Sequence, residues 1–96
     1  MENEVQFTSK AKKTPQKAQE VLQGCGFGTV QSARTMCGAA ALSLAGTGGV
    51  GIPLAVKLDF NDAGQARLSV RSGTKEVSQT VAHILATYIL EPPQKT

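Results

Sequence analysis

Three side chains are of the kind that metal sites and acyl-transfer centres use: Cys25, Cys37 and His83. A structural zinc site needs four ligands, usually in two close pairs, whereas these cysteines lie twelve residues apart and the histidine is distant. A nucleophilic triad would need His83 as its base, and the sequence has no Gly-Ser-Gly elbow to present a nucleophile. We therefore expect no catalytic residues, no metal site and no enzymatic activity, with His83 exposed on a helix.

A glycine-rich segment at 46–51, GTGGVG, fits the dinucleotide fingerprint G-x-G-x-x-G. That motif holds a pyrophosphate only where the N-terminus of a helix follows it. Here a strand pattern containing Pro53 follows, and the residue 20 positions after Gly51 is the basic Arg71. We interpret the segment as a flexible hairpin turn and expect no cofactor.

Length and composition favour one small domain over residues 1–96, since 96 residues with 41% hydrophobic and 18% charged side chains allow one modest core. No apolar run approaches the roughly 20 residues of a membrane-spanning helix, and the polar start does not resemble a signal peptide. Two cysteines make no disulfide framework, so a reducing cytosol is the expected compartment.

Basic charge is concentrated in one segment, where four of the ten Lys and Arg residues occur within eight positions: Lys10, Lys12, Lys13 and Lys17. Such a cluster can bind phosphate or acidic lipid headgroups. More often such a cluster is a solvated turn and the start of a helix. Both interpretations remain open at this point.

The second half of the chain has the clearer pattern. Apolar residues alternate over 52–60, and again over 66–72 after a turn at 61–64, which predicts an antiparallel hairpin with one buried face. The spacing then changes to three and four, which predicts a helix over 74–90, capped by Ser72 or Thr74 and ended by two prolines. Its predicted apolar face consists of Val77, Val81, Ile84, Leu85 and Tyr88.

The first half predicts a strand over 4–9, then a helix capped by Thr14 and stopped by Gly24. Two further strands are expected at 27–36 and 39–45, linked around Cys37 and Gly38. The predicted order is β-α-β-β-β-β-α, which gives an α+β domain with a five-stranded antiparallel sheet and two flanking helices.

The outward face of this sheet is expected to combine small and basic side chains. We predict a shallow apolar floor with positive margins, suited to a short peptide with apolar anchors flanked by acids. An ordinary solvated face, or one covered by the first helix, is the alternative. The predicted peptide-binding residues are Arg34, Ala39, Ala41, Ala55, Lys57 and Arg67.

Five short runs, in the same order along the chain, resemble a known family: NEVQF at 3–7, VLQ at 21–23, LSL at 42–44, LSVR at 68–71 and EVSQ at 76–79. They are similar to the C-terminal platform subdomain of β-adaptin appendages, the ear domains of the large β subunits of vesicle-coat adaptor complexes. The resemblance spans nearly the whole chain and implies a five-stranded sheet with flanking helices.

In that family the sheet face carries an aromatic, an arginine and an acid, with a Trp just before the matched region. By resemblance the arginine corresponds to Arg34 and the aromatic position to Ala39, while the acid falls on Lys57 or Val56; the sequence contains no Trp. These departures imply a peptide that is more apolar or more acidic than the helical motifs of the endocytic appendages.

The resemblance implies a non-enzymatic module that recruits accessory and coat proteins through short peptide motifs during vesicle-mediated transport. Contact with other adaptor subunits would run through the rest of the β subunit, and contact with the membrane would be indirect. The implied location is the cytosol, at coated membranes of the trans-Golgi network, endosome or plasma membrane. The chain is either a fragment or an appendage made of a platform alone, as in the fourth adaptor complex. A small basic nucleic-acid- or phospholipid-binding domain is the alternative function, although no nucleic acid is expected as a partner of the preferred one.

Overall fold

Five strands and two helices make up the protein in the computed structural model, which describes residues 3–43 and 51–92. The elements are β1 (Glu4–Lys10), α1 (Pro15–Gly24), β2 (Gly28–Ser32), β3 (Thr35–Ser43), β4 (Gly51–Phe60), β5 (Gln65–Ser72) and α2 (Lys75–Ile89). The predicted order, and with it the predicted α+β class, is confirmed.

The strands form one antiparallel sheet in the order β1-β5-β4-β3-β2. Strands β2 to β5 are joined as consecutive hairpins, and β1 completes the sheet by pairing with β5. Strands β1 and β2 are therefore the two edges of the described sheet. Each edge leaves one row of backbone N–H and C=O groups without a neighbouring described strand.

One face of the sheet is covered by both helices. Successive side chains of a strand point to opposite faces, so Val56 on β4 and its partners Val70 and Gly38 share a face with Leu58 and Leu68. Helix α2 packs on β5 and β1, and α1 packs on β2 and β3. The buried apolar core of the described residues consists of Ala18, Leu22, Phe27, Met36, Leu54, Val56, Leu58, Ala66, Leu68, Val70, Ala82, Leu85, Ile89 and Leu90.

Both helices begin at capping threonines, as the sequence predicts. The Thr14 side chain accepts a hydrogen bond from the backbone N–H of Lys17, and Pro15 takes the first helical position, where no N–H is needed. The Thr74 side chain accepts in the same way from the N–H of Val77. Helix α1 includes Gly24 as its last residue, and Gly26 follows with a φ of 95° that favours glycine.

The turn between β2 and β3 was predicted in the wrong place. Cys37 and Gly38 lie within β3, opposite Lys57 and Val56, and the chain reverses instead at Ala33 and Arg34. A Cβ at Gly38 would lie 3.4 Å from the Phe27 Cβ and 3.5 Å from the Thr29 Cγ2, which are ordinary van der Waals contacts, so the glycine is not required by a turn or by lack of space.

The buried face of α2 is also rotated from the predicted one. Its buried residues are Ser78, Ala82, Leu85 and Ile89, whereas Ile84 and Tyr88 are 48% and 55% exposed. Short side chains at positions 78 and 82 bring the helix close to the sheet. The buried Ser78 hydroxyl is satisfied by the Ser72 hydroxyl at 2.8 Å and the Thr74 carbonyl at 3.2 Å. Small residues of a helix can therefore pack against the core even where the positions of the hydrophobic residues predict a different buried face.

Some predictions fall on residues outside those described. These are positions 46–50 of the glycine-rich turn, the end of the strand predicted over 39–45, Pro93, and the side chains of Leu42, Ser43 and Ile52.

The rotated face of α2 predicts losses of stability of different size for two substitutions. Ala82→Leu should destabilise the fold by about 1–3 kcal/mol, because the added carbons have no room beneath the helix. Ile84→Ala should cost less than about 1 kcal/mol, because Ile84 is half exposed. Urea unfolding of both variants measures the difference, and a larger loss for Ile84→Ala would show that the helix packs through the face predicted from the sequence.

Candidate functional site

The sheet face turned away from the helices is called the open face here. Its side chains alternate with those of the core, and a row across it runs from Arg71 on β5 through Ala55 and Ala39 to Gly28 on β2. Both α1 and α2 pack on the other face, so the proposal that α1 covers this one is wrong. Within residues 3–43 and 51–92, no helix or strand lies over the open face.

A second row lies next to the first and runs from Ser69 through Lys57 and Cys37 to Val30. Val30 is 72% exposed, the largest exposed fraction among the large hydrophobic side chains of the described chain. Val30 and Cys37 form a low apolar surface on β2, β3 and β4 together with the neighbouring alanines. This shelf consists of Val30, Cys37, Ala39, Ala41 and Ala55.

Charged groups on the open face gather around Asp59. The Thr35 hydroxyl donates to this carboxylate at 2.6 Å, and the Arg67 guanidinium and the Lys57 ammonium lie at 3.4 Å and 3.8 Å. The Thr35 hydrogen bond lowers the pKa of Asp59 most, and Arg67 and Lys57 lower it further against the opposing effect of burial. Asp59 thus offsets part of the positive charge of Lys57 and Arg67.

Arg71 is the exposed cation beside the shelf. It lies opposite Ala55 on one side and Glu4 on the other, and no ion pair of the described residues includes it. Together with Lys57 it places positive charge along the β5 side of the shelf. An acidic group of a ligand lying on the alanines would meet these two side chains.

Five of the six predicted binding residues lie on the open face: Ala39, Ala41, Ala55, Lys57 and Arg67. Arg34 does not join them, because it belongs to the β2–β3 turn and forms an ion pair with Asp62 of the β4–β5 turn. Its backbone carbonyl also accepts from the N–H of Phe60 at 3.0 Å. Five positions of strand separate Arg34 from Ala39, about 16 Å at the usual rise.

The structure adds Val30, Cys37 and Arg71 to the predicted set. Val30 and Cys37 were missed because the turn was placed at Cys37. Once β3 begins at Thr35, simple alternation assigns Cys37, Ala39 and Ala41 to one face. This alternation along β3 is the feature of the sequence from which Cys37 could have been assigned to the open face.

The soft ligands of the sequence do not meet. Cys25 follows the last residue of α1 and is exposed, Cys37 lies on the open face, and His83 is exposed on α2. Across residues 3–43 and 51–92, no group of three or more His, Cys, Asp or Glu side chains is arranged to hold a metal ion.

The lysine cluster surrounds the connection between β1 and α1. The Lys12 ammonium donates to the Thr87 carbonyl at 2.7 Å, in the last turn of α2, where the helix dipole favours a cation. This contact gives one of the four lysines a role within the fold. Lys10 and Lys17 are exposed.

No protein-family model and no curated protein matches the sequence. In the described part of the chain, none of the helices combines the length and apolar character needed to cross a membrane.

The ion pairs of Asp59 predict a pH-dependent contribution to stability. Asp59→Asn keeps an oxygen acceptor for Thr35 but removes the charge, and should lower the unfolding free energy at pH 7 by at most about 1 kcal/mol. Because the folded pKa of Asp59 is lowered, this contribution is complete above the unfolded value of about 3.9 and is lost as pH falls through the folded value. Urea unfolding of both proteins at neutral and acidic pH measures it, and a difference that persists at the acidic end would contradict this assignment.

Proposed function

We propose that the protein is a non-enzymatic peptide-recruitment module, similar to the platform of a β-adaptin appendage, that binds accessory proteins of vesicle coats through short linear motifs. The open face is the proposed binding site. Within this proposal the module works in the cytosol, on the surface of coated membranes, and reaches other adaptor subunits through the rest of a β subunit.

The observation that carries the proposal is the shelf itself. A peptide needs an accessible surface with apolar contacts at its centre and polar groups at its margin. The shelf offers the exposed apolar side chains of Ala39 on β3 and Val30 on the edge strand β2, and Lys57 and Arg71 lie along its β5 side. The runs of sequence that resemble the appendage platform add independent support.

The side chains on the shelf indicate the chemistry of the ligand. Alanines at positions 39, 41 and 55 leave space above the sheet that a large apolar side chain of a peptide can fill. Acidic residues beside that anchor would meet Lys57 and Arg71, whereas basic residues would be repelled. We therefore expect a motif with Leu or Phe anchors and acidic flanks. Its affinity should be modest, because a shallow surface desolvates few anchors fully.

A titration with one synthetic peptide tests this proposal. The probe carries adjacent leucine and phenylalanine flanked by aspartates, and amide chemical shifts of the full chain are followed by NMR. The expected shifts lie at Ala39, Ala41, Ala55 and Lys57. Shifts confined to the lysines at positions 10–17, with binding that collapses on adding salt, would favour the alternative of a phosphate- or lipid-binding domain.

Two variants with the same charge change provide the control. Ala39→Glu places a carboxylate on the shelf and should weaken binding by about tenfold or more. Removing this carboxylate from water on binding is unfavourable, and its charge repels the acidic flanks of the peptide. Gln6→Glu places the same charge on the open face of β1, three strands away, and should change binding by less than about twofold. Equal effects of the two variants would contradict binding on the shelf.

A further inference from the structure

The outer edge of β2 has no neighbouring strand within residues 3–43 and 51–92. The edge of β1, by contrast, pairs in part with the chain's own Leu90 and Glu91. The two edges of the sheet are therefore not equivalent. In the described part of the chain, β2 is the edge that is open along its whole length.

The connection between β3 and β4 does not reach this edge. Residues 44–50 join Ser43 to Gly51, which are paired, so each of them lies within about 14 Å of one of these two ends. Thr29 lies opposite Gly38, which is five positions along β3 from Ser43, about 16 Å at the usual rise. The outer side of β2 is farther still, so from Thr29 onward it is out of reach of this connection.

Residues 1–2 and 93–96 adjoin the opposite edge of the sheet. The first two precede β1, and the last four follow the segment in which the Glu91 N–H donates to the Lys10 carbonyl of β1. Four strand spacings, about 19 Å, separate β1 from β2, whereas four residues span at most about 14 Å. The pairing side of β2 is therefore free of the residues of this sequence that lie outside the described ranges.

The backbone groups that point outward from β2 follow from the pairing. The Arg34 carbonyl accepts a hydrogen bond from the last residue of β4 at 3.0 Å, so the backbone of Arg34 faces β4. Since these groups alternate along a strand, Cys37 faces β2 and its partner Val30 faces back toward β3. Thr29 and Gln31, on either side of Val30, therefore direct their N–H and C=O groups away from the sheet.

This edge carries no charge that would hold two copies apart. Strand β2 reads GTVQS, and the neighbouring side of α1 presents glutamines, since the Nε2 groups of Gln19 and Gln23 donate to the Thr29 hydroxyl at 3.0 Å and 3.1 Å. Charged side chains and prolines usually protect an exposed edge, and β2 has neither. At its centre Val30 is 72% exposed. An apolar side chain in the middle of an uncharged edge indicates a strand that is used for pairing.

We propose that a second copy of this chain pairs with the first through β2, antiparallel about a two-fold axis at Val30, so that the two sheets become one. In this register Thr29 of each copy exchanges both backbone hydrogen bonds with Gln31 of the other. Val30 faces its counterpart at a position without hydrogen bonds, where the Cα atoms lie about 4.5 Å apart and the side chains bury each other's exposed surface. The shelves of the two copies then meet at Val30 and form one continuous surface.

The edge is complementary to itself, which makes a second copy its partner. Of the antiparallel registers, the one centred on Val30 matches all 5 residues of Gly28–Ser32 and pairs each outward residue with an outward residue. A foreign strand is recognised by charges or by pockets for alternate side chains, and the described residues provide neither along β2. A contact of one short strand buries less than the roughly 1,200 Å² of a stable interface, so we expect a dissociation constant of about 10 μM to 1 mM.

Sedimentation equilibrium of the full chain, with no peptide added, tests the association. The apparent mass should rise from that of one chain, 10.0 kDa, toward twice that value as the concentration increases to about 2 mM. A mass that stays at one chain would overturn the proposal. A mass that grows past two chains would also overturn it, because a two-fold contact closes after two copies. Since the measurement contains no peptide, failure of this proposal and failure of the peptide-recruitment proposal are distinguishable.

Two variants with the same added charge locate the contact. Val30→Lys sets like charges against each other at the axis and should raise the dissociation constant at least about tenfold. Gln6→Lys adds the charge at an exposed position of the opposite edge strand and should change the constant by less than about twofold. Thermal unfolding confirms that both variants keep the fold. Equal effects of the two would overturn pairing through β2.

Cross-linking by a disulfide tests the register. In a chain with Cys25→Ser and Cys37→Ser, Val30→Cys should give a covalent dimer with oxidised glutathione, which is reduced as the two thiols are oxidised, because position 30 faces itself at about 4.5 Å. Ser32→Cys, exposed on the same strand, lies four positions from its counterpart, about 13 Å, and should not cross-link. Equal cross-linking of the two variants would overturn the two-fold axis at Val30.

Discussion

Burial of one sheet face beneath two helices is the constraint on which the rest of this structure depends. Leu58 and Leu68, at the centre of that face, are fully buried together with Leu85 and Ile89 of α2. A chain of this size has apolar side chains for one such layer and leaves the second face to small and polar groups. The open face keeps its small and polar side chains because the large hydrophobic side chains of the strands point to the face beneath the helices.

The shelf uses side chains and lies on β2, β3 and β4, where alanines leave space above the backbone. The edge of β1 borders a pocket made with α2. The end of α2 returns to β1 through Leu90 and Glu91, so the chain itself pairs with part of this edge.

Period-2 alternation was enough to predict the hairpin of β4 and β5 and its buried face. Helical spacing and capping residues supplied the helices in the predicted order, and all of these patterns are local. The turn between β2 and β3 was not predictable in this way, since Cys37 and Gly38 resemble a break between two strands but lie within β3, and the chain reverses at Ala33 and Arg34. The face of α2 depends on Ser78 and Ala82, whose burial reflects a tertiary fit that hydrophobicity does not encode. Arg34 was predicted on the sheet face because the strand predicted over 27–36 included it, whereas it lies in the turn between β2 and β3. The bridge between Ala11 and Leu90 was not predicted, because it joins residues about 80 positions apart in the chain.

Reactivity of the Cys37 thiol tests the uncovered face most directly. Cys37 lies in the shelf, and replacing Cys25 by Ser leaves it as the one thiol of the chain. Under native conditions a maleimide should label Cys37 nearly as fast as it labels the urea-unfolded chain, while a cysteine substituted for the buried Val56 in a chain lacking both native cysteines should be protected until unfolding. Protection of Cys37 comparable to that of the Val56→Cys thiol would mean that another part of the chain covers the shelf, and the account of an open binding face would be wrong.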